Sequence, residues 1–230
     1  MMVQRGANGD REALIRALQV YVITDERGED GQLLDIVEQA IVGGATAIQL
    51  RRKQTLGRRF VELGRALRKL TRERGVLFFV NDRVDVAAIV DADGVHVGQD
   101  DISCRDARQL LGKDKWIGVS AETVAEALAA QAEGADYLGV GAIYPTPSKP
   151  DAKITGLDGL AEITRRVNLP IVAIGGVHLN NMIESLERGA HGVAVVSEVM
   201  SASQPREATQ AIAQKVQTYF SGKKRLDDTP

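Results

Sequence analysis

The residues best equipped for chemistry fall in short clusters. Gln49, Arg51, Arg52 and Lys53 combine an amide with three cations, Asn81-Asp82 and Gln99-Asp100-Asp101 bring carboxylates, and Thr146, Ser148 and Lys149 share a proline-bearing stretch. Arg51, Lys53 and Lys149 carry more positive charge than one monophosphate ordinarily needs, which points to a diphosphate group. Asp82 and Asp101 could supply oxygens to one Mg2+ per subunit, an ion that takes one or two carboxylates beside substrate phosphates and water. Helix capping is the competing reading for each carboxylate, since Asn and Asp are favoured where a chain enters a helix. Gly175-Gly176 and Ser197 can present backbone N–H groups to a second, singly phosphorylated ligand, unless the glycine pair only makes a tight turn.

These clusters need elements that aim them at one place. Apolar runs of strand length occur at residues 20–24, 46–50, 77–80, 94–97, 116–119, 137–139, 171–174 and 192–195. Stretches with apolar residues three and four apart separate them, as at 33–42, 58–74, 123–133 and 179–188, so the chain reads as repeated βα units. Gly44-Ala45-Thr46, Gly134-Ala135-Asp136 and Gly189-Ala190-His191 mark turns from helix to strand, glycine suiting the left-handed position that closes a helix. Eight such units without a Pro/Ser-rich linker favour an α/β fold of a single domain, a closed (β/α)8 TIM barrel over about 20–220; a doubly wound open sheet is the runner-up. An extra N-terminal helix is expected at 11–19 and a polar tail at 221–230. In such a barrel the active site lies at the C-terminal ends of the strands. That rule gathers the clusters above, with Ser120 after the fifth strand and Val196 after the eighth, on one rim. The polar segment 141–156, with Pro145, Pro147 and Pro150, is long for a βα connection and suits a lid.

Composition narrows the class. The 230 residues carry 29 Lys+Arg against 31 Asp+Glu, a formal charge of −2, which gives no reason to expect nucleic acid as a partner. Cys104 stands alone, so neither an intrachain disulfide nor a multi-cysteine zinc site is expected, and a reducing, cytoplasmic setting fits. No apolar run reaches membrane-spanning length, and residues 1–10 lack the pattern of a signal peptide. Small-molecule substrates are therefore the expected partners, with assembly into a homo-oligomer left open. His96, His178 and His191 read as structural, Cys104 as buried or simply exposed, and Arg105, Arg108 and the cations of 58–74 as solvated helix faces.

Taken together, YVITD at 21–25, QLRRK at 49–53, FFVNDRVDVA at 78–87, DGVHVGQDD at 93–101, IGVS at 117–120, the 134–152 stretch ending YPTPSKPDA, PIVAIGGV at 170–177 and GVAVVS at 192–197 resemble the thiamine-phosphate synthase family. The resemblance implies condensation of 4-amino-5-hydroxymethyl-2-methylpyrimidine diphosphate with a thiazole phosphate, releasing pyrophosphate. By motif match it implies that Gln49, Arg51, Lys53, Asn81, Ser120 and Lys149 hold the pyrimidine diphosphate, and that Asp82 and Asp101 hold Mg2+. It further implies that Thr146, Pro147, Ser148, Gly176, Val196 and Ser197 hold the thiazole phosphate. Lys149, Ser120, Arg51 and Lys53 are then the expected catalytic groups. The thiazole nitrogen needs no general base, so the demanding step becomes departure of pyrophosphate, and a dissociative mechanism is expected.

The sequence departs from the family pattern at Arg52, where an acidic residue is usual, and at Glu198, where a small one is common. Arg52 is expected to face solvent and Glu198 to point away from the phosphate. Two rival functions are a thiazole tautomerase, which should need neither the diphosphate cradle nor the metal carboxylates, and a non-catalytic phosphate-binding barrel.

Overall fold

The computed structural model describes residues 9–146 and 153–227. Eight parallel strands, β1 (Val20–Ile23), β2 (Ala47–Leu50), β3 (Leu77–Asn81), β4 (Gly94–Val97), β5 (Trp116–Ala121), β6 (Tyr137–Val140), β7 (Ile171–Ala173) and β8 (Gly192–Val195), close on themselves in sequence order. The barrel shuts where β1 pairs with β8, Tyr21 beside Ala194. Helices α2 (Asp30–Val42), α3 (Gly57–Arg74), α4 (Val84–Ile89), α5 (Cys104–Leu111), α6 (Val124–Ala132), α7 (Gly156–Arg166) and α8 (Met182–Glu187) connect successive strands. A short α9 (Ser197–Met200) and a long α10 (Pro205–Asp227) follow β8, and α1 (Gly9–Ala17) precedes β1. α10 packs against α2 and continues through residue 221, where the sequence suggested an irregular polar tail.

Nearly every strand residue is buried, which is why the strands read as continuous apolar runs rather than alternating ones. Residues pointing outward, such as Val22, Ile48, Val80 and Leu138, pack under the helices in one large cluster. Residues pointing inward, including Tyr21, Phe79, Tyr137, Val172 and Ala194, form a second cluster inside the barrel. Leu14 of α1 and Leu18 join that inner cluster, so the N-terminal segment stops the barrel at its lower mouth. Among the described residues no helix is long and apolar enough to cross a membrane.

The helix-to-strand signature has four copies, not three. Gly44, Gly134 and Gly189 have positive φ, and Asp91, at φ 53°, takes the equivalent place in Asp91-Ala92-Asp93. In each copy the alanine N–H closes the preceding helix, reaching Ala40, Ala87, Ala130 or Ser185 O. The residue after it clamps the preceding strand: Thr46, Asp93, Asp136 and His191 accept from the N–H of Val20, Phe78, Ile117 and Ile171. The even-numbered strands are thus tied to their odd neighbours at the lower rim. Arg68 and Arg108 complete two of these clamps by binding Asp93 and Asp136. Both were read from sequence as solvated cations; Arg68 is instead buried, and Arg108 also donates to the carbonyls of Gly112 and Lys115. His191, read as structural, has a structural job here.

Candidate active site

The opposite rim is built from the chain as it leaves each strand. After β2, the Arg51 N–H donates to Thr24 Oγ1 at 2.9 Å and the Lys53 N–H donates to the Glu26 carboxylate, so the loop after β1 steers both cations. The Lys53 ammonium lies 3.0 Å from Asp82 Oδ2. Asp82 itself takes φ 60°, a left-handed conformation that Asp tolerates better than most residues, and its N–H donates to His96 O at 2.8 Å. The turn after β3 therefore presents the carboxylate to Lys53 on one side and to Asp101 on the other.

Asp101 arrives from β4 through a tight turn in which Gly98 N–H donates to Asp101 Oδ2 at 2.8 Å. A Cβ on residue 98 would stand 2.8 Å from that same oxygen, so a side chain there would push the Asp101 carboxylate out of this contact. The proximity has an electrostatic signature. Burial first, and then the Asp101 carboxyl beside it, push Asp82 above the usual carboxylate range, with Lys53 opposing the shift. Two carboxylates held together this way, one against a lysine, make an oxygen-donor set suited to a hard divalent cation that completes its shell with phosphate and water. Among the described residues there is no group of three or more His, Cys, Asp or Glu side chains disposed around a metal position.

Deeper in the barrel the site rests on a chain of polar side chains. Gln49 Nε2 donates to Tyr21 OH at 2.9 Å, and Tyr21 OH lies 3.0 Å from Tyr137 OH. Tyr137 OH lies 3.1 Å from His96 Nδ1, and His96 Nε2 lies 3.0 Å from Ser120 Oγ. Burial pushes the His96 imidazole down to about 4, so it is neutral at physiological pH. Sequence reasoning placed Gln49 and Ser120 in the site but missed the three residues that join them. A histidine on a strand flanked by Val95 and Val97 looks like packing, and nothing local pairs it with a tyrosine 41 residues on.

The third part of the rim lies after β7. Gly175 and Gly176 have φ of 87° and 64°, and a side chain on Gly176 would strike the backbone of Tyr144 and Pro145 at 2.7–2.8 Å. The glycine pair thus brings the loop after β7 against the segment leading to Thr146. Asn181 Nδ2 donates to Gly176 O, and Tyr144 OH donates to Glu184 Oε2. Val196 and Ser197 stand where β8 passes into α9 on the same rim. The Glu198 carboxylate is engaged as acceptor for the Leu179 N–H at 3.2 Å, tying these two loops together.

Lys53, Asp82 and Asp101 are therefore brought into contact after β2, β3 and β4, with Arg51 following β2 and Asn81 ending β3 on the same rim. Gln49 and Ser120 are joined to each other by the buried chain, and Thr146, Gly176, Val196 and Ser197 follow β6, β7 and β8. Pro147, Ser148 and Lys149, with most of the segment read as a lid, lie outside the described residues. Arg52 does not face solvent as expected. It is buried, donating to the carbonyls of Asp25, Arg27 and Gly28 and to Asp30 Oδ1. Cys104 is buried and burial pushes its thiol up to about 11, which makes it unreactive.

Comparison with known proteins decides among barrels of this shape. A family profile described as thiamine monophosphate synthase matches residues 20–199. The chain belongs to the thiamine monophosphate synthase family. A thiamine-phosphate synthase of Roseiflexus sp. (strain RS-1) is 52% identical over 195 residues, covering 84% of this chain and 83% of its own. One of Pyrococcus horikoshii is 47% identical over 195 residues, covering 85% and 93%. The solved structure of a thiamine phosphate pyrophosphorylase from Pyrococcus furiosus superimposes with a TM-score of 0.83 at 44% identity, covering 90% of this chain and 98% of that one. Membership in the thiamine monophosphate synthase family agrees with the resemblance carried by the rim motifs.

Proposed function

We propose that the protein is a transferase that joins 4-amino-5-hydroxymethyl-2-methylpyrimidine diphosphate to a thiazole phosphate, giving thiamine phosphate and pyrophosphate. The observation that carries this reading is the Lys53–Asp82–Asp101 cluster, which a binding protein for a monophosphate would not need. It stands beside Arg51 on the rim of a barrel whose thiamine-phosphate synthase relatives are about half identical to it.

In this reading Gln49, Arg51, Lys53, Asn81, Ser120 and Lys149 hold the pyrimidine diphosphate, the three cations meeting its phosphates. The bond between the pyrimidine methylene carbon and the diphosphate oxygen breaks, its electron pair leaving with pyrophosphate. The thiazole nitrogen then donates its lone pair to that carbon, so no side chain has to remove a proton to make the nucleophile. Arg51, Lys53, Lys149 and the Ser120 hydroxyl stabilise the charge gathering on the leaving group, which is where electrostatic preorganisation contributes most. Asp82 and Asp101 would hold Mg2+, which when bound supplies Lewis-acid neutralisation of the leaving pyrophosphate. Thr146, Pro147, Ser148, Gly176, Val196 and Ser197 hold the thiazole phosphate, and closure of segment 145–151 keeps water from the electron-deficient carbon. A cytoplasmic setting suits the single thiol.

The test is to incubate the purified protein with both substrates, with and without Mg2+, and to quantify thiamine phosphate and pyrophosphate together. Equal amounts of both should form, formation should stop on chelation, and Asp82→Asn should lower kcat/KM by about 100-fold or more. Binding of thiazole phosphate without either product would sink the synthase reading in favour of a tautomerase or a binding barrel.

A further inference from the structure

A barrel interior is an expensive place for hydroxyls, each costing free energy unless it is hydrogen-bonded. Phe79 shows that a plain phenyl ring is accommodated there: its centroid lies 5.5 Å from the Tyr21 ring and 5.4 Å from the Tyr137 ring. Room has nonetheless been reserved for a polar chain. A Cβ on Gly118 would stand 2.1 Å from Tyr137 Cζ, and one on Gly139 would stand 3.0 Å from His96 Cε1. Tyr21, Gln49, His96 and Tyr137 are all buried, so their hydrogen bonds have no competition from bulk water.

Such a chain has a direction, and the atoms at its ends set it. Gln49 Nε2 can only donate, so Tyr21 OH accepts there and its one proton must go to the Tyr137 oxygen. Tyr137, having accepted, sends its own proton to His96 Nδ1. A neutral imidazole that accepts at Nδ1 carries its proton on Nε2, and that proton points at Ser120 Oγ. Ser120 therefore accepts from inside the barrel. Its own proton is left to point outward, and this half-buried hydroxyl sits near the rim end of β5, where Gln99 Nε2 donates to the Ser120 carbonyl at 2.6 Å.

We propose that Tyr21, Tyr137 and His96 are positioning residues: the chain running from Gln49 to Ser120 is polarised in one sense, holds His96 as the Nε2–H tautomer and makes Ser120 a committed donor to an anionic oxygen of the diphosphate. This rests on the reading above that a diphosphate binds on that rim. Its chemical consequence is a hydroxyl whose hydrogen is already aligned before the leaving group develops charge, so little reorganisation is needed at the moment of bond breaking. It also links two residues assigned to the pyrimidine diphosphate, Gln49 and Ser120, through the barrel itself.

Imidazole nitrogen NMR of the full-length protein tests the direction, with His96 assigned by comparison with His178→Gln and His191→Gln. The His96 signals should show Nε2 protonated and Nδ1 bare at neutral pH. In Tyr137→Phe, which keeps the ring and removes the hydroxyl, both tautomers should become populated. Pyrophosphate with Mg2+ should bind that variant about tenfold more weakly, and kcat/KM for the pyrimidine diphosphate should fall by a similar factor with the KM for thiazole phosphate unchanged. Replacing Ser120 by Ala should cost far less in Tyr137→Phe than in the wild type. Tyr21→Phe, one link further away, gives the same tautomer readout if Tyr137→Phe folds poorly. A wild-type His96 protonated on Nδ1, or additive effects of Ser120→Ala and Tyr137→Phe on pyrophosphate affinity, would overturn the proposal. Absence of thiamine phosphate formation by the wild type would instead count against the reaction assigned above, and the tautomer and pyrophosphate measurements would still decide the chain.

Discussion

Arg52 sits between the two cations assigned to the diphosphate, yet its guanidinium turns the other way. It binds three successive parts of the loop after β1, the carbonyls of Asp25, Arg27 and Gly28, and reaches Asp30, which Arg59 of α3 also binds. Arg59, with Arg52 behind it, holds the Asp30 carboxyl below the usual range. That loop in turn supplies Thr24 and Glu26 to the backbone of Arg51 and Lys53. A departure from the family pattern thus becomes a brace for the site. Arg52→Ala should lower unfolding free energy by about 2 kcal/mol, since buried carbonyls lose charged donors, and should raise the KM for the diphosphate more than it lowers kcat. Arg52→Lys should recover only part of both, because an ammonium cannot reach several acceptors with a planar fork. Urea unfolding and initial-rate kinetics check these together. Sequence reading found Arg51 and Lys53 from their type and place, but the direction of Arg52 depends on a loop about 25 residues earlier.

At the scale of elements, the fourfold repeat of helix end, alanine and clamp residue explains how strands this short stay in register. Each clamp satisfies an otherwise unpaired strand N–H at the lower rim and fixes the helix that precedes the next strand. The glycines made three of the turns legible in the sequence. The fourth was hidden because Asp91 adopts the left-handed conformation that glycine takes elsewhere. Asp93 bears the most, accepting from Phe78 N–H and from both terminal nitrogens of Arg68. Asp93→Ala should therefore cost about 3 kcal/mol, because it leaves the Arg68 guanidinium buried without its counter-charge. At the end of the barrel opposite the rim, it should leave kcat/KM unchanged at temperatures where the variant is folded. Thermal and urea unfolding alongside the coupling assay would show a stability loss without an activity loss.

The whole molecule is polarised along the barrel axis, with α1 and apolar side chains below, tyrosines and His96 at mid-height, and charges above. That arrangement makes stability depend on pH in a way that His96 dominates. Its folded value of about 4 lies below the ordinary 6.5, so the unfolded chain binds the proton more readily. Stability is then full above about pH 6.5 and falls as pH drops toward 4, by about 3 kcal/mol from this group alone. Asp82 acts in the opposite sense. Its raised value, with Lys53 already opposing the shift, means that ionisation weakens the fold as pH rises through the carboxylate range, until a bound cation offsets the charge. Urea unfolding at pH 7 and pH 4.5 should show a larger loss for the wild type than for His96→Gln, and equal losses would contradict the neutral, buried imidazole.

From sequence alone the alternation of strand and helix was readable, because parallel strands buried on both faces must be apolar throughout and their helices must keep one apolar side. The rim chemistry was readable too, since a barrel puts whatever follows each strand on one end. Partnership inside the barrel was not. Tyr21 and Tyr137 are 116 residues apart and meet only because eight strands close, and no local pattern distinguishes a tyrosine that will face another hydroxyl from one that will pack as a ring. Residue types and their order were set by the chain, whereas closure of the sheet decided which polar groups satisfy one another, and with them the direction in which Ser120 can donate.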